Sequence, residues 1–340
     1  MTERPRLTPA MADVRRAIRE NLSDLTPDAV VLVALSGGPD SLALAAGLAF
    51  EAPRAGLLAG AVIVDHGLQE GSDVVANNAA EQARALGLDP VVIRRVKVVA
   101  ASGPEADARS ARYEALQTVA SELSAVAVLL GHTLDDQAET VLLGLTRGSG
   151  ATSLAGMSEV NGIYRRPLLG IRRAETVAAC EDQGLSVWND PHNHDSSYTR
   201  VRIRNEVMPV LENQLGPGVA EALARTAEQL KQDAEVLDAL VAEIMPTVMI
   251  PVLGESGPPL RATLETSVLE GLAPALLNRV IRRSALDVFG VSLSAVHTNS
   301  IARLVSDWHG QGELHVPGIR VERQGAQLVL TASSSTPTEA

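Results

Sequence analysis

At 340 residues, 46% of them hydrophobic and 21% charged, the chain excludes wholesale disorder and is long enough for two or three ordered domains. No apolar run approaches the ~18 residues of a membrane span, the opening MTERPRLTPA lacks a secretory signal, and a lone cysteine, Cys180, excludes a disulfide framework or an all-cysteine metal site, so a cytoplasmic protein with no membrane partner is expected. The net charge of −12 favours a small-molecule enzyme over a nucleic-acid binder, except that all the cations but Lys97 and Lys231 are arginines and several cluster.

Ala29–Leu35 (AVVLVAL) reads as a first strand ending at Ser36-Gly37-Gly38-Pro39, and Ser41–Phe50 as the Ala/Leu-rich helix it feeds. Leu57–Val64 is a second strand, followed by a helix over Asp73–Leu86. Pro90–Val99 is a third, followed by a helix over Pro104–Leu123. Val126–Leu130 is a fourth, followed by a helix over Leu134–Leu145. Strands that are apolar throughout, rather than alternating, are covered on both faces. The strand–helix rhythm then predicts an α/β, doubly wound parallel sheet.

After Gly148-Ser149-Gly150 come short pieces, one helix from Arg173 to Gln183, a loop over Asn189–Asp195 and a helical pattern from Tyr198 to about Leu211. Leu215-Gly216-Pro217-Gly218 places three breakers before the long amphipathic helix Val219–Ala242. This is the expected boundary between a domain over 1–215 and a second over 219–331. The second domain reads as helical to about Trp308, interrupted by the Pro/Gly-rich segment Pro251–Pro259, and ends in a small hairpin within 313–331. Residues 332–340 read as a disordered tail.

The turn Ser36-Gly37-Gly38-Pro39-Asp40-Ser41 lies where a doubly wound sheet binds ligands, outside the carboxyl end of a strand. Its glycines admit close backbone approach, and the helix N-terminus behind them favours phosphate. Ser36 and Ser41 add hydroxyls, and Asp40 offers a hard oxygen for magnesium on a polyphosphate. Neither GxxxxGK[ST] nor GxGxxG is present, which disfavours a P-loop NTPase and a dinucleotide site. The hexapeptide resembles the pyrophosphate-binding loop SGGxDS of the N-type ATP pyrophosphatases. That resemblance implies ATP cleaved between its α- and β-phosphates, an adenylated acceptor and displacement of AMP by a nucleophile.

Further stretches narrow the reading. Val64-Asp65-His66-Gly67-Leu68 ends the second strand on the same rim as the glycine turn, and Ala108-Arg109-Ser110-Ala111-Arg112-Tyr113 lies on the helix after the third. Gly131-His132-Thr133-Leu134-Asp135-Asp136-Gln137-Ala138-Glu139-Thr140 opens the helix after the fourth strand. Its carboxylates sit at a helix N-terminus and suit magnesium, with zinc or iron ligation by His, Asp and Glu as the alternative. Ile163–Leu169 and the segment Asp190–Leu211 are similar to segments of tRNA(Ile)-lysidine synthetases. With SGGPDS and GHTLDDQAET, the resemblance spans roughly residues 28–212.

The resemblance implies conversion of the cytidine at the first anticodon position of an isoleucine tRNA (CAU) to lysidine. The cytosine 2-carbonyl oxygen attacks the α-phosphorus of ATP, pyrophosphate leaves, and the ε-amine of free L-lysine displaces AMP. ATP and magnesium are the implied cofactors. ATP would bind at Ser36, Gly37, Gly38, Pro39, Asp40, Ser41 and His66. Asp40, Arg112 and Asp136 are the catalytic candidates, with Asp40 and Asp136 on magnesium, while His132, Asp135, Asp136 and Glu139 are candidates for the lysine or magnesium site. Arg165, Arg166, Arg172, Arg173, Arg200, Arg202 and Arg204 become tRNA contacts, the alternative being a solvated charged face. The second domain would bind tRNA, and members are often homodimers. Stacking aromatics near the motifs are few: Tyr113, Tyr164, Trp188 and Tyr198. The competing readings are a sister tRNA thiolase, which needs more cysteine than Cys180 alone, and a non-catalytic nucleotide- or RNA-binding module on the same fold.

Overall fold

The computed structural model describes residues 8–67, 71–96, 103–147, 151–190, 193, 195–252 and 261–333. Leu68, Lys97, Gly148-Ser149-Gly150, Pro191, His192, His194, most of the Pro/Gly-rich segment and nearly all of the expected tail lie outside them. The chain divides into two units, 1–228 and 229–340.

The first unit opens with a helix the sequence reading passed over, α1 (Pro9–Asn21). Thr8 caps it by accepting from the Met11 N–H, and Met11, Val14 and Ile18 form its buried stripe. Then follow β1 (Val30–Ala34), α2 (Pro39–Glu51), β2 (Leu58–Asp65), α3 (Ser72–Ala85), β3 (Val91–Arg95), α4 (Pro104–Glu122), β4 (Ala125–Leu129) and α5 (Leu134–Thr146). Short pieces α6 (Ala151–Leu154), β5 (Val160–Asn161) and β6 (Tyr164–Arg165) lead to α7 (Arg173–Asp182). The sheet order is β3-β2-β1-β4-β6-β5, parallel except for β5.

The continuous apolar strands are explained by what covers them. Val31, Val33, Ile63 and Leu129 pack under α1, α2, α3 and α7, while Leu32, Val62, Val128 and Leu130 pack against Leu116 and Val119 of α4. Alternate residues thus meet opposite layers, and both must be apolar. Alanines such as Ala43, Ala79 and Ala83 fill the layer where a chain with 2% aromatics has no large rings to offer. The strand order reverses between β1 and β4, so the crevice outside their carboxyl ends is the topological switch point.

The single helical pattern expected over 198–211 is corrected to three pieces: α8 (Thr199–Arg202), a π-helical turn over Ile203–Val207, and α9 (Met208–Leu215). Pro209 has no N–H for the Asn205 carbonyl, so the regular ladder is interrupted there. The glycine–proline breakers at 216–218 precede α10 (Val219–Val248). The units divide inside this helix rather than at the breakers, because Ala220 in its first turn packs on Leu134 and Ala138 of α5.

The second unit continues with β7 (Met249–Val252), β8 (Arg261–Glu265), α11 (Thr266–Leu269), α12 (Pro274–Phe289), α13 (Ala295–Ser306), β9 (Leu314–Val316), β10 (Ile319–Gln324) and β11 (Gln327–Ala332). The expected hairpin is β10–β11, but it belongs to a five-stranded antiparallel sheet, β7-β8-β11-β10-β9. Arg261–Glu265 is too short to show its own period, and it becomes a strand by pairing with β11. Leu264, Val280, Ile281, Ile301, Val321 and Leu328 form the core between this sheet and α12 and α13. Among the described residues no helix is long and apolar enough to cross a membrane.

Candidate active site

The turn after β1 closes on its own hydroxyls. Gly37 lies at φ +84°, in the left-handed region that a side chain would strain. The Ser36 N–H donates to Ser41 Oγ at 3.1 Å, and Ser41 Oγ donates to the Gly38 carbonyl at 3.0 Å. Gly38 is the N-cap of α2 and has no side chain to cap it, so the Asp40 and Ser41 N–H groups have no acceptor among the described residues. The loop after β4 presses against this turn. A Cβ at Gly131 would lie 3.0 Å from the carbonyl carbon of Asp40 and from the Ser41 nitrogen.

Beside Ser36 opens a cavity of about 250 Å³, apolar at Leu35, Ile63 and Leu116 and polar at His66, Arg112 and Asp190. Burial, with Arg112 nearby, holds the His66 imidazole below its ordinary pKa although Asp65 opposes the shift. Its Nδ1 is buried without a partner. Arg112 lines this cavity and makes no ion pair among the described residues.

A second set of groups gathers at the start of α5. Thr133 and Asp136 form a capping box, the Thr133 N–H donating to Asp136 Oδ2 at 2.8 Å, which fixes the Asp136 carboxylate at the helix N-terminus. Arg173, Arg200 and Arg204 converge on Asp136 Oδ1 at 3.0, 3.3 and 3.0 Å. Glu139 is only 1% exposed and receives Arg200 Nε at 2.9 Å and Arg204 Nε at 2.8 Å. Burial alone would favour neutral acids, but Arg173, Arg200, the Thr133 N–H and Arg204 hold Asp136 below the ordinary carboxylate range. The Arg204 guanidinium in turn is pushed up by Glu139 against its own desolvation. Asp40 differs. Burial outweighs its bond from the Thr176 hydroxyl and the Arg173 charge, Asp136 adds repulsion, and its pKa is raised. His132 is driven down to about 3 by burial, with Arg166, Arg112 and Arg200 adding to the effect against Asp136, and its Nδ1 is unpartnered.

Electrostatic proximity therefore links His66 to Arg112, Arg112 to His132, His132 to Asp136, and Asp136 to Asp40. Residues from four separate loops and helices share one rim. Asp135 stands slightly apart, accepting from the Arg173 N–H at 2.8 Å and pairing with Arg172 at 3.3 Å. A smaller cavity of about 170 Å³ opens among Asp135, Glu139, Arg172, Arg204 and Met208.

Of the arginines expected to contact RNA, two are buried and the others are partly exposed and engaged with protein acceptors. Arg165 is buried in a bidentate pair with Asp24 at 2.6 and 2.8 Å, and Arg166 is buried on the Ser158 carbonyl at 2.8 Å. Arg173, Arg200 and Arg204 serve the acids just described, because a buried carboxylate left unpaired is costly. Arg172 is shared between Asp135 and Glu221, at 3.3 and 3.4 Å, and Arg202 staples the Ser196 and Ser197 carbonyls at 2.6 and 2.9 Å. Among the aromatics, Tyr113 and Tyr164 pack edge-on at 4.9 Å, while Trp188 walls the cavity beside Ser36 and its backbone N–H donates to the Gly37 carbonyl at 2.9 Å. Thr176 was missed, since its place depends on α7 crossing α2 and leaves no local pattern. Asp190 carries no signal of its own beyond its place near Trp188, one of only two tryptophans.

A sheet with this switch point, a serine–glycine turn after its first strand and acids opening the helix after its fourth define a PP-loop domain, and residues 11–211 match the PP-loop domain family. Residues 264–328 match the TilS substrate binding domain. A tRNA(Ile)-lysidine synthase of Leifsonia xyli subsp. xyli is 57% identical over 304 residues, covering 89% of this chain and 90% of the relative. One from Thermobifida fusca is 50% identical over 327 residues, covering 95% and 98%. The chain belongs to the tRNA(Ile)-lysidine synthase family. Among solved structures, the U34-tRNA thiolase NcsA from Methanococcus maripaludis, described with its 4Fe–4S cluster, shares the fold. It has a TM-score of 0.55 and 20% identity, covering 65% of this chain and 78% of that one.

Proposed function

We propose that this chain joins free L-lysine to C2 of the wobble cytidine in an isoleucine tRNA with a CAU anticodon, at the expense of ATP, and so changes codon recognition from AUG to AUA. The observation that carries the reading is the packing of the Ser36–Ser41 turn against the loop at Gly131, which joins an anion cradle to the Asp136 and Glu139 carboxylates. The purine of ATP fits the apolar side of the larger cavity, and its phosphate tail fits the free N–H groups of the turn. When the cytosine 2-oxygen bonds to the α-phosphorus, the bond to pyrophosphate breaks and charge develops at that phosphorus. Arg112, which lines the cavity and has no ion pair among the described residues, neutralises it. Lysine then forms its C–N bond at C2 and AMP departs with the former carbonyl oxygen.

Asp135, Asp136 and Glu139 are the groups for the lysine ammonium. The smaller cavity gives the amino acid a place among Asp135, Glu139 and Arg172, the last suited to its α-carboxylate. The ammonium must shed a proton before attack. With substrates in place, Arg173, Arg200 and Arg204 exchange part of their hold on the acids for the phosphate and RNA charge. The role of Arg165 and Arg166 is to brace the fold.

Magnesium fits the donor set. Asp40 and Asp136 are hard oxygen ligands close enough to repel one another, and one or two carboxylates plus phosphate oxygens suffice for this ion. When bound, it would neutralise the triphosphate. A cytoplasmic location and a homodimeric assembly belong to the same proposal. A thiolase reading has no support in a chain whose one cysteine, Cys180, is buried under α2 with its thiol pushed up to about 12, first by burial and then by Asp40.

Incubation with ATP, labelled lysine and a CAU-anticodon isoleucine tRNA transcript is expected to place label in the RNA and release pyrophosphate, both dependent on every component. Unlabelled RNA with ATP nevertheless bound would reject the enzyme and favour a binding module.

A further inference from the structure

We propose that the groove of the second unit between α12, α13 and the Trp308 turn binds one unpaired nucleotide of the RNA substrate, an inference that rests on reading the chain as a tRNA-modifying enzyme. The groove holds about 760 Å³, within the range of small-ligand sites. Its floor is apolar, with Leu277 and Val305 nearly buried, and its walls carry Asn278, Asn299, Arg303 and Trp308.

Trp308 is one of two tryptophans in the chain, and it lies 37% exposed outside the core of its unit. The ring is backed by Arg323, whose Cζ stands 5.7 Å from the ring centroid. Four of the five donors of that guanidinium are engaged: it donates to the Gly325, Leu304 and Val305 carbonyls at 3.2, 3.2 and 3.1 Å and to Glu270 at 2.8 Å. Arg323 is therefore committed to holding the platform. Arg303 is the opposite case. It is exposed, lies one turn beyond Asn299 on α13, and has no ion pair among the described residues.

Asn278 and Asn299 both line the groove; the Asn278 amide donates to Asn299 Oδ1 across 3.4 Å, and the Asn278 carbonyl oxygen and the Asn299 amide nitrogen make no hydrogen bond among the described residues. One acceptor and one donor suit the hydrogen-bonding edge of a base, the indole suits its face, and the Arg303 guanidinium suits its phosphate. A base within a duplex has both faces covered by its neighbours and presents nothing to the indole. The ligand is therefore a nucleotide out of its stack.

The test uses the full chain and a short unstructured single-stranded RNA. The strand is expected to quench tryptophan emission in the wild type and not in Trp308→Ala, where only Trp188 reports. Followed by anisotropy, Trp308→Ala weakens binding roughly 5- to 100-fold, the range for loss of one base–aromatic stack. Trp308→Phe restores most of it, Arg303→Ala weakens it with an unchanged melting temperature, and a blunt duplex does not compete. In lysidine formation, Trp308→Ala raises the KM for tRNA and spares kcat. Equal quenching in Trp308→Ala, equal affinity for the duplex, or a wild-type KM in Trp308→Ala would overturn the proposal. Strand binding as expected in a wild-type protein that transfers no lysine would instead overturn the catalytic reading, so the two fail separately.

Discussion

Arg204 grips Glu139 through two nitrogens, Nε donating to Oε1 at 2.8 Å and Nη2 to Oε2 at 3.2 Å. The carboxylate is almost wholly buried and is paired by this fork and by Arg200 and Arg173 beside it. Glu139→Ala strands cations that have lost their acid and is expected to cost about 3–5 kcal/mol in urea unfolding. Arg204→Ala leaves Glu139 two other guanidiniums and should cost clearly less. Equal losses would mean that Glu139 is not the hub.

Arg112 makes no ion pair among the described residues, so its removal should separate stability from chemistry. Arg112→Ala is expected to lower pyrophosphate release in the presence of tRNA by ~10²–10³-fold, the cost of deleting one preorganised charge-stabilising group. Its melting temperature should stay near wild type. Arg112→Lys should recover part of the rate, because the charge returns without the planar fork. An Arg112→Ala enzyme of normal rate would remove this residue from the mechanism.

His132 makes stability depend on pH. Unfolded, its imidazole takes a proton near 6.5, whereas folded it does so only at about 3. The unfolded chain therefore binds more protons between those values, and stability that is full above pH 6.5 is lost as pH falls toward 3. This one group contributes a slope of up to ~1.4 kcal/mol per pH unit. His132→Gln should flatten the profile in that window relative to wild type, measured as unfolding free energy at a series of pH values. Parallel profiles would show that His132 is not held neutral.

Gly131 is tight for a methyl group, since a Cβ there meets the backbone of residues 40 and 41 at 3.0 Å and that backbone must give way. Gly131→Ala should push the Ser36–Ser41 turn out of shape and weaken ATP binding about tenfold or more, by the sensitivity of positioned groups to small displacements. Calorimetric titration with ATP measures it. Unchanged affinity would mean that the turn tolerates the shift or that the nucleotide sits elsewhere.

Cys180 Sγ lies 3.2 Å from the Pro39 carbonyl, in the core between α7 and α2. Cys180→Ser keeps a donor for that carbonyl and should retain lysine transfer, with stability lowered by roughly 1 kcal/mol for a hydroxyl placed in an apolar site. Loss of transfer in a folded variant would reopen a thiol-dependent mechanism.

The parts of the fold legible in the sequence are those whose cause is local. β1 to β4 show as apolar runs because each is covered on both faces, and α2 to α5 follow turns with recognisable breakers. β7 and β8 were taken into a helical region, since strands this short are defined by the neighbour they pair with. The π-turn at 203–207 needed Pro209 to be weighed against an otherwise regular pattern. In the site, Ser36–Ser41 and Gly131–Thr140 were legible because chemistry and position coincide in one contiguous stretch. Thr176 beside Asp40 was not, being 136 residues away in the chain.

What the amino-acid order settled by itself is the class of machine: a parallel sheet, a glycine turn after its first strand and acids opening the helix after its fourth. Each depends on neighbours only a few positions apart. What the tertiary structure alone decided is the employment of the arginines. A guanidinium on a long, flexible stem goes where unpaired negative charge is buried, and Glu139 meets Arg200 and Arg204 across 61 and 65 residues of chain. That encounter follows from the packing of α8 and the π-turn onto α5, and a cluster of cations read along the chain cannot report which carboxylates the fold will bury beside it.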